Sequence, residues 1–128
     1  LKDRGYEYWE YISDNKLKLG KLNFTHGDYV PIHHAKKHLA AYKENIMYGH
    51  THDLQRFTET GLGGTQSAWS MGCLKNMKSS KNRWLRGNLH NWNHAFAIVD
   101  IFKNGDFKVE VVEIINGRTT VWGNYIEG

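Results

Sequence analysis

Proline and cysteine each occur once in 128 residues. The lone Cys73 excludes an internal disulfide framework and fits a reducing compartment, so a cytoplasmic location is expected. No charged side chain stands directly beside it, and it reads as a small buried residue rather than an activated thiol. No apolar run approaches the roughly 20 residues of a membrane-spanning helix, so no membrane partner is expected. The charged and aromatic opening lacks the apolar stretch of a secretory leader. Repeats and low-complexity tracts are also missing. With 13 glycines and a single proline, the composition suits neither a collagen-like nor a disordered chain.

What is present suits a compact domain. Five Trp, seven Tyr and five Phe supply bulky core material within an apolar share of 40%. The length predicts one domain over residues 1–128. A formal charge of +4 favours anionic partners, though modestly. The chain opens at Leu1, not Met, inside a stretch with helical spacing, as expected of a piece processed or cut from something longer.

Tyr6, Trp9 and Ile12 predict a helix over residues 3–13, ended by Asp14-Asn15. Residues 17–25 alternate around a glycine and read as a strand or short hairpin. Pro31 is expected to open a helix, because its missing N–H is unpaired there in any case. Ile32, Ala35, Leu39 and Tyr42 would form its apolar stripe, with Lys36, Lys37 and Lys43 on the wet side. Ile46-Met47-Tyr48 is short and apolar, like a buried parallel strand. Strands are expected over 54–60 and 65–71, separated by Gly61-Leu62-Gly63-Gly64. Residues 75–92 have no period and read as a long loop. The chain then ends in a β-meander over 95–102, 107–115 and 119–122, with turns at Asn104-Gly105-Asp106 and Asn116-Gly117.

Two glycine-marked loops carry the histidines. Thr25-His26-Gly27-Asp28 follows one apolar run, and Gly49-His50-Thr51-His52 follows the next. A strand, a crossover helix and a second strand give neighbouring parallel strands with their carboxyl ends on one edge, where ligands bind in open α/β sheets. His26, His50 and His52 should therefore converge on one patch. Three imidazoles so arranged could take Zn, Mn, Fe or a similar ion; a surface cluster with no shared ligand is the plain alternative. His34 and His38 share a helix face at i and i+4, and with His33 they are placed at solvent or at the edge of a substrate site. His90 and His94 flank Trp92 and read as loop packing, with a substrate contact as the alternative. Asp28 could orient His26 or simply stabilise its turn.

Gly49-His50-Thr51-His52 resembles the closing G-H-x-H motif of the calcineurin-like metallophosphoesterases. Thr25-His26-Gly27-Asp28 resembles the lone-histidine motif that precedes it. The helix between the motifs, Gly72-Cys73-Leu74 after a strand, and Trp92 with Ala95-Phe96-Ala97-Ile98-Val99 extend the likeness, which is greatest to small phage or bacterial members. The family's D-x-H and G-N-H-[DE] motifs do not occur here, and Gly27-Asp28 and Gly105-Asp106 do not replace them. The resemblance therefore implies an α/β fold, the C-terminal half of a metallophosphoesterase-type β-sandwich flanked by helices, with a mixed sheet. It implies that His26 and His50 ligate one divalent ion and His52 the other, of two in the complete site (Mn²⁺ or Zn²⁺, or iron). The bridging aspartate, the amide ligand and the histidine that assists the leaving group would come from an N-terminal half of the same protein or from a partner chain. The complete enzyme would hydrolyse a phosphate mono- or diester, and this chain alone would be inactive or nearly so.

Between Lys75 and Arg86 the long loop carries Lys75, Lys78, Lys81, Arg83, Arg86 and Trp84, with Trp69 and Trp92 nearby in sequence. Such a mixture suggests contacts to phosphate together with stacking on bases, so nucleic acid is a candidate substrate. A solvated loop is the plain alternative. The rival functional reading is a non-catalytic nucleic-acid-binding module with a degenerate metal patch.

Overall fold

A computed structural model describes residues 4–5, 16–86 and 90–128. Apart from Arg4 and Gly5, the helix expected over residues 3–13 lies outside them. The chain begins with β1 (Leu17–Leu19) and β2 (Leu22–Phe24), paired antiparallel as the hairpin reading predicts. Helix α1 (His34–Tyr42) leads to β3 (Ile46–Tyr48), and β4 (Leu54–Gly61) and β5 (Gly64–Met71) form the long hairpin across Leu62-Gly63. These strands make one mixed sheet in the order β1-β2-β3-β5-β4. Its central pairs, β2 with β3 and β3 with β5, are parallel. A 3-10 helix (Ser80–Leu85) interrupts the long loop. It is followed by β6 (Ala95–Ile101), β7 (Phe107–Glu113), β8 (Arg118–Val121) and β9 (Asn124–Glu127), paired as two hairpins. The fold is α/β, mostly strand, with a mixed sheet.

Strand periodicity builds two layers of core on that sheet. Successive side chains point to opposite faces, so Ile46 and Tyr48 of β3 and Ala68 of β5 meet Ala35 and Leu39 of α1. On the other face Leu22, Met47 and Trp69 meet Ala97, Val99, Phe107 and Val109 of the β6–β7 hairpin. Leu22, Ile46 and Ala68 are fully buried, and burying a Leu or Ile side chain contributes about 1.5–3 kcal/mol. The three-residue β3 is thus covered on both faces, which is why it reads as a continuous apolar run. Beyond β5, Gly72 lies so close to β6 that an added Cβ would stand 2.7 Å from the Asn93 carbonyl oxygen. The neighbouring Cys73 is half-buried, not buried as expected; its backbone bridges to that of His94 at this junction.

Two boundaries differ from the sequence reading. Helix α1 starts three residues after Pro31, with His33 at its N-cap making no side-chain hydrogen bond. Ile32 accordingly leaves the apolar stripe and is exposed. The second difference is β9. Asn116 and Gly117 both have positive φ (51° and 78°), the mirror-image turn that suits a two-residue hairpin loop. Trp122 and Gly123 repeat it (49° and 77°), but a tryptophan at the first position gives no turn signal, so the last strand went unpredicted. No helix among the described residues is long and apolar enough to cross a membrane.

Candidate functional site

The parallel pairing of β2 with β3 sets Phe24 opposite Met47, so both strands deliver their loops at the same carboxyl edge. There the His26 carbonyl oxygen accepts hydrogen bonds from the Gly49 and His50 N–H groups (3.1 and 2.9 Å). The side chains follow. His26 Nε2 lies 2.7 Å from His50 Nδ1, with the rings edge to face at a centroid distance of 4.7 Å. Gly27 makes the approach possible. Its φ is +105°, and a Cβ there would stand 2.9 Å from Tyr48 Cδ2 and 3.2 Å from the His50 Cβ.

His52 turns another way. Its φ of 61° lies in the left-handed region, a strained conformation for a residue bearing a Cβ. Its ring packs edge to face against Trp92 at 4.9 Å. Burial lowers its pKa from the ordinary histidine value, assisted by the charge of Lys75 and by His50 and His26. The sequence-predicted trio thus divides into a touching pair and a neighbour on the tryptophan.

His34 and His38 are not at solvent. They are 3% and 0% exposed and extend the buried face of α1, each one position before Ala35 and Leu39. A buried imidazole requires partners for both nitrogens, and both residues find them. His38 Nδ1 donates to the His34 carbonyl at 2.8 Å, which leaves Nε2 to accept the Asp28 and Tyr29 N–H groups at 3.0 and 3.4 Å. Its ring also stacks on Tyr48 with centroids 3.7 Å apart. His38 therefore ties the His26 loop to the helix. Asp28 does not orient His26 with its carboxylate, which instead accepts the Tyr42 hydroxyl.

His34 and Asp53 support the other loop. His34 Nε2 donates to Asp53 Oδ2 at 2.8 Å, and its Nδ1 accepts the Tyr48 hydroxyl at 2.5 Å. Ser70 Oγ lies 2.7 Å from the Asp53 carbonyl oxygen and 3.1 Å from Oδ1. Burial works against the Asp53 charge, but hydrogen bonds from Thr51, His34 and Ser70 outweigh it and hold the pKa below the usual carboxylate value. Burial likewise pushes the Tyr48 phenol up, and the Asp53 charge adds to it. Sequence reasoning missed these four supports, His34, His38, Tyr48 and Asp53. The usable signal was the placement of both histidines beside the apolar stripe, not opposite it.

Next to this network an open cleft of about 390 Å³ is lined by His34, His50, His52 and Asp53 together with Trp84, His90 and Trp92. Lys75 lies against two of these rings, with Nζ 5.5 Å from the Trp84 centroid and 4.9 Å from that of Trp92. Lys75, Lys78, Lys81, Arg83 and Arg86 are not among its lining residues. Lys78 and Lys81 help shape the 3-10 turn through their N–H groups, which bond Asn76 Oδ1 and Ser79 Oγ. His94 is loop packing, its Nε2 2.7 Å from the Lys75 carbonyl oxygen. A larger groove of about 810 Å³ opens elsewhere, around Lys18, Glu44, Arg56 and Trp69, and contains none of these histidines.

Among the described residues no three His, Cys, Asp or Glu side chains converge as a metal-binding group. The His26–His50 pair nevertheless has the chemistry of half a site. Two nitrogens about 2.0–2.1 Å from a tetrahedral ion lie roughly 3.3 Å apart, so a small opening of the pair would admit one cation. Among the described residues no free carboxylate joins the pair. Asp28 and Asp53, the carboxylates of these loops, are engaged by Tyr42 and by His34 and Ser70.

No protein-family model matches the chain, and no solved structure matches it. Two curated phage proteins do. The Gene 54 protein of Mycobacterium phage L5 and that of Mycobacterium phage D29 are each 37% identical over 87 residues, 65% of this chain. The chain spans about a third of the length (33%) of these relatives.

Proposed function

We propose that the chain is the C-terminal part of a metal-dependent phosphoesterase of the calcineurin-like class. The observation that carries the reading is the contact of His26 with His50 at the carboxyl edge of two parallel strands, from loops held in place by His38 and by Asp53 with His34. In this reading His26 and His50 hold one divalent ion, Mn²⁺, Zn²⁺ or iron, and His52 faces a second. The remaining ligands come from an N-terminal half of the same protein or from a partner chain. Bound ions of this kind activate water and neutralise charge on a phosphoryl group. This chain's own part is narrower: it presents two imidazole nitrogens side by side, next to a loop whose His52 packs on Trp92. The five-stranded sheet with β6–β7 packed on one face then corresponds to half of the family's β-sandwich.

Metal content per chain after equilibration with Mn²⁺ and Zn²⁺ is the first test. Weak binding of one ion, lost in His50→Ala, is expected. Binding that His50→Ala leaves unchanged would remove the pair from the site. In the complete protein His50→Ala should lower metal-dependent ester hydrolysis at least a hundredfold, and retained activity would refute its role.

A second reading, a non-catalytic nucleic-acid-binding module, is favoured by one observation, the exposed Trp84 beside Lys75. It requires oligonucleotide binding that a chelator leaves intact in a complete protein without hydrolytic activity. Absence of binding at low salt would eliminate it.

A further inference from the structure

Trp84, His90 and Trp92 form one aromatic surface. The Trp84 and Trp92 centroids are 6.1 Å apart at 48°, and His90 lies 5.2 Å from Trp92 at 33°. Packing does not account for it, since Trp84 is 63% exposed. Val30 and Ile32, 67% and 77% exposed, line the same cleft. An exposed indole, a half-buried one and exposed aliphatic side chains beside polar groups suit a flat, partly apolar ligand. His50 and His52 also line the cleft, and Lys75 supplies positive charge at the rings. A volume of about 390 Å³ lies near the lower end of the roughly 300–1,000 Å³ of small-ligand pockets, enough for one unit rather than a folded partner.

We propose that Trp84 and Trp92, on a cleft that Val30 and Ile32 also line, form a nucleobase-stacking shelf that presents the phosphate of a base-bearing ester to His50 and His52. Every base has a π-face, so a shelf of indoles takes purines and pyrimidines alike. Lys75 makes cation–π contacts that fix the two rings. Asn91, also on the cleft, is placed to hydrogen-bond a base edge. The ligand class is a nucleobase carrying a phosphate, as a mononucleotide or as the end of a single strand. The phosphate half of this inference rests on the phosphoesterase reading; the stacking half does not.

Calorimetric titration of the chain in the presence of a chelator tests the shelf without the metal. Adenosine monophosphate and a short oligothymidylate should bind, and ribose 5-phosphate should compete poorly. Trp84→Ala, at an exposed position that leaves the core intact, should weaken binding at least tenfold, and Trp92→Phe should do so less. A mononucleotide that binds as well as the oligonucleotide identifies free nucleotides as the ligand. A tighter oligonucleotide with a steep loss of affinity in salt identifies a nucleic acid strand. Ribose 5-phosphate binding as well as the nucleotide, or unchanged affinity in Trp84→Ala, overturns the shelf. If the shelf fails while His50-dependent metal binding persists, only the base-binding inference falls. If nucleotides bind but no metal does, the shelf stands and the phosphoesterase reading falls.

Discussion

Replacing His38 by leucine removes a fully buried ring that holds the His26 loop against α1. Leucine is of similar bulk, so the change deletes polar contacts more than volume. The Asp28 N–H loses its acceptor at 3.0 Å, and the Tyr29 N–H loses a longer one at 3.4 Å. A donor left without a partner in a part-buried position costs about 1–3 kcal/mol. Loss of the stack on Tyr48 adds about 0.5–1.5 kcal/mol. A total near 2–4 kcal/mol at pH 8 is therefore expected from urea denaturation.

The pH dependence of that cost is diagnostic. The His38 pKa is lowered, first by burial and further by the charges of His34 and His50, against the raising effect of the His34 carbonyl and Asp28. A proton on Nε2 would point at two N–H groups. With the folded pKa below the unfolded value near 6.5, the unfolded state binds protons first. The contribution is thus complete above pH 6.5 and is lost as pH falls toward the folded pKa, at up to about 1.4 kcal/mol per pH unit. Wild type and His38→Leu should draw closer as pH falls below about 6.5. A cost below about 0.5 kcal/mol at pH 8, or a difference independent of pH, would refute the neutral-acceptor role.

Gly27→Ala places a Cβ 2.9 Å from Tyr48 at a φ of +105°. A loss of about 1–3 kcal/mol in thermal denaturation is expected, with weakened metal binding as His50 is displaced; wild-type values for both would show that the loop has slack. Asp53→Asn removes a charge that accepts from His34 and Ser70, at about 1.5–3 kcal/mol near neutral pH. Because the Asp53 pKa is depressed, its contribution is present above about pH 4 and disappears as pH falls through the folded value. The mutant should show a shallower acid limb in chemical denaturation, and an unchanged limb would mean that other carboxylates set it.

Local signals in the sequence determined most of the strands. The alternation around Gly20, the buried triplet Ile46-Met47-Tyr48 and the Asn116-Gly117 turn each express a preference of a few adjacent residues, and each appears where predicted. The carboxyl-edge meeting of His26 and His50 was legible too, since strand–helix–strand connectivity leaves parallel strands few other arrangements. Tertiary structure alone decided the roles of His34 and His38. Histidine is compatible with solvent, with a metal or with a satisfied core site, and nothing within a helical turn chooses among them. The choice was made by the Asp28 and Tyr29 N–H groups, Tyr48 and Asp53, contributed by segments 9 to 19 residues away. The same holds for the tryptophans: Trp69 is buried against β6–β7, whereas Trp84 stays exposed above the cleft. An indole's chemistry permits either fate, and only the packing of distant strands distinguishes a core side chain from an exposed one.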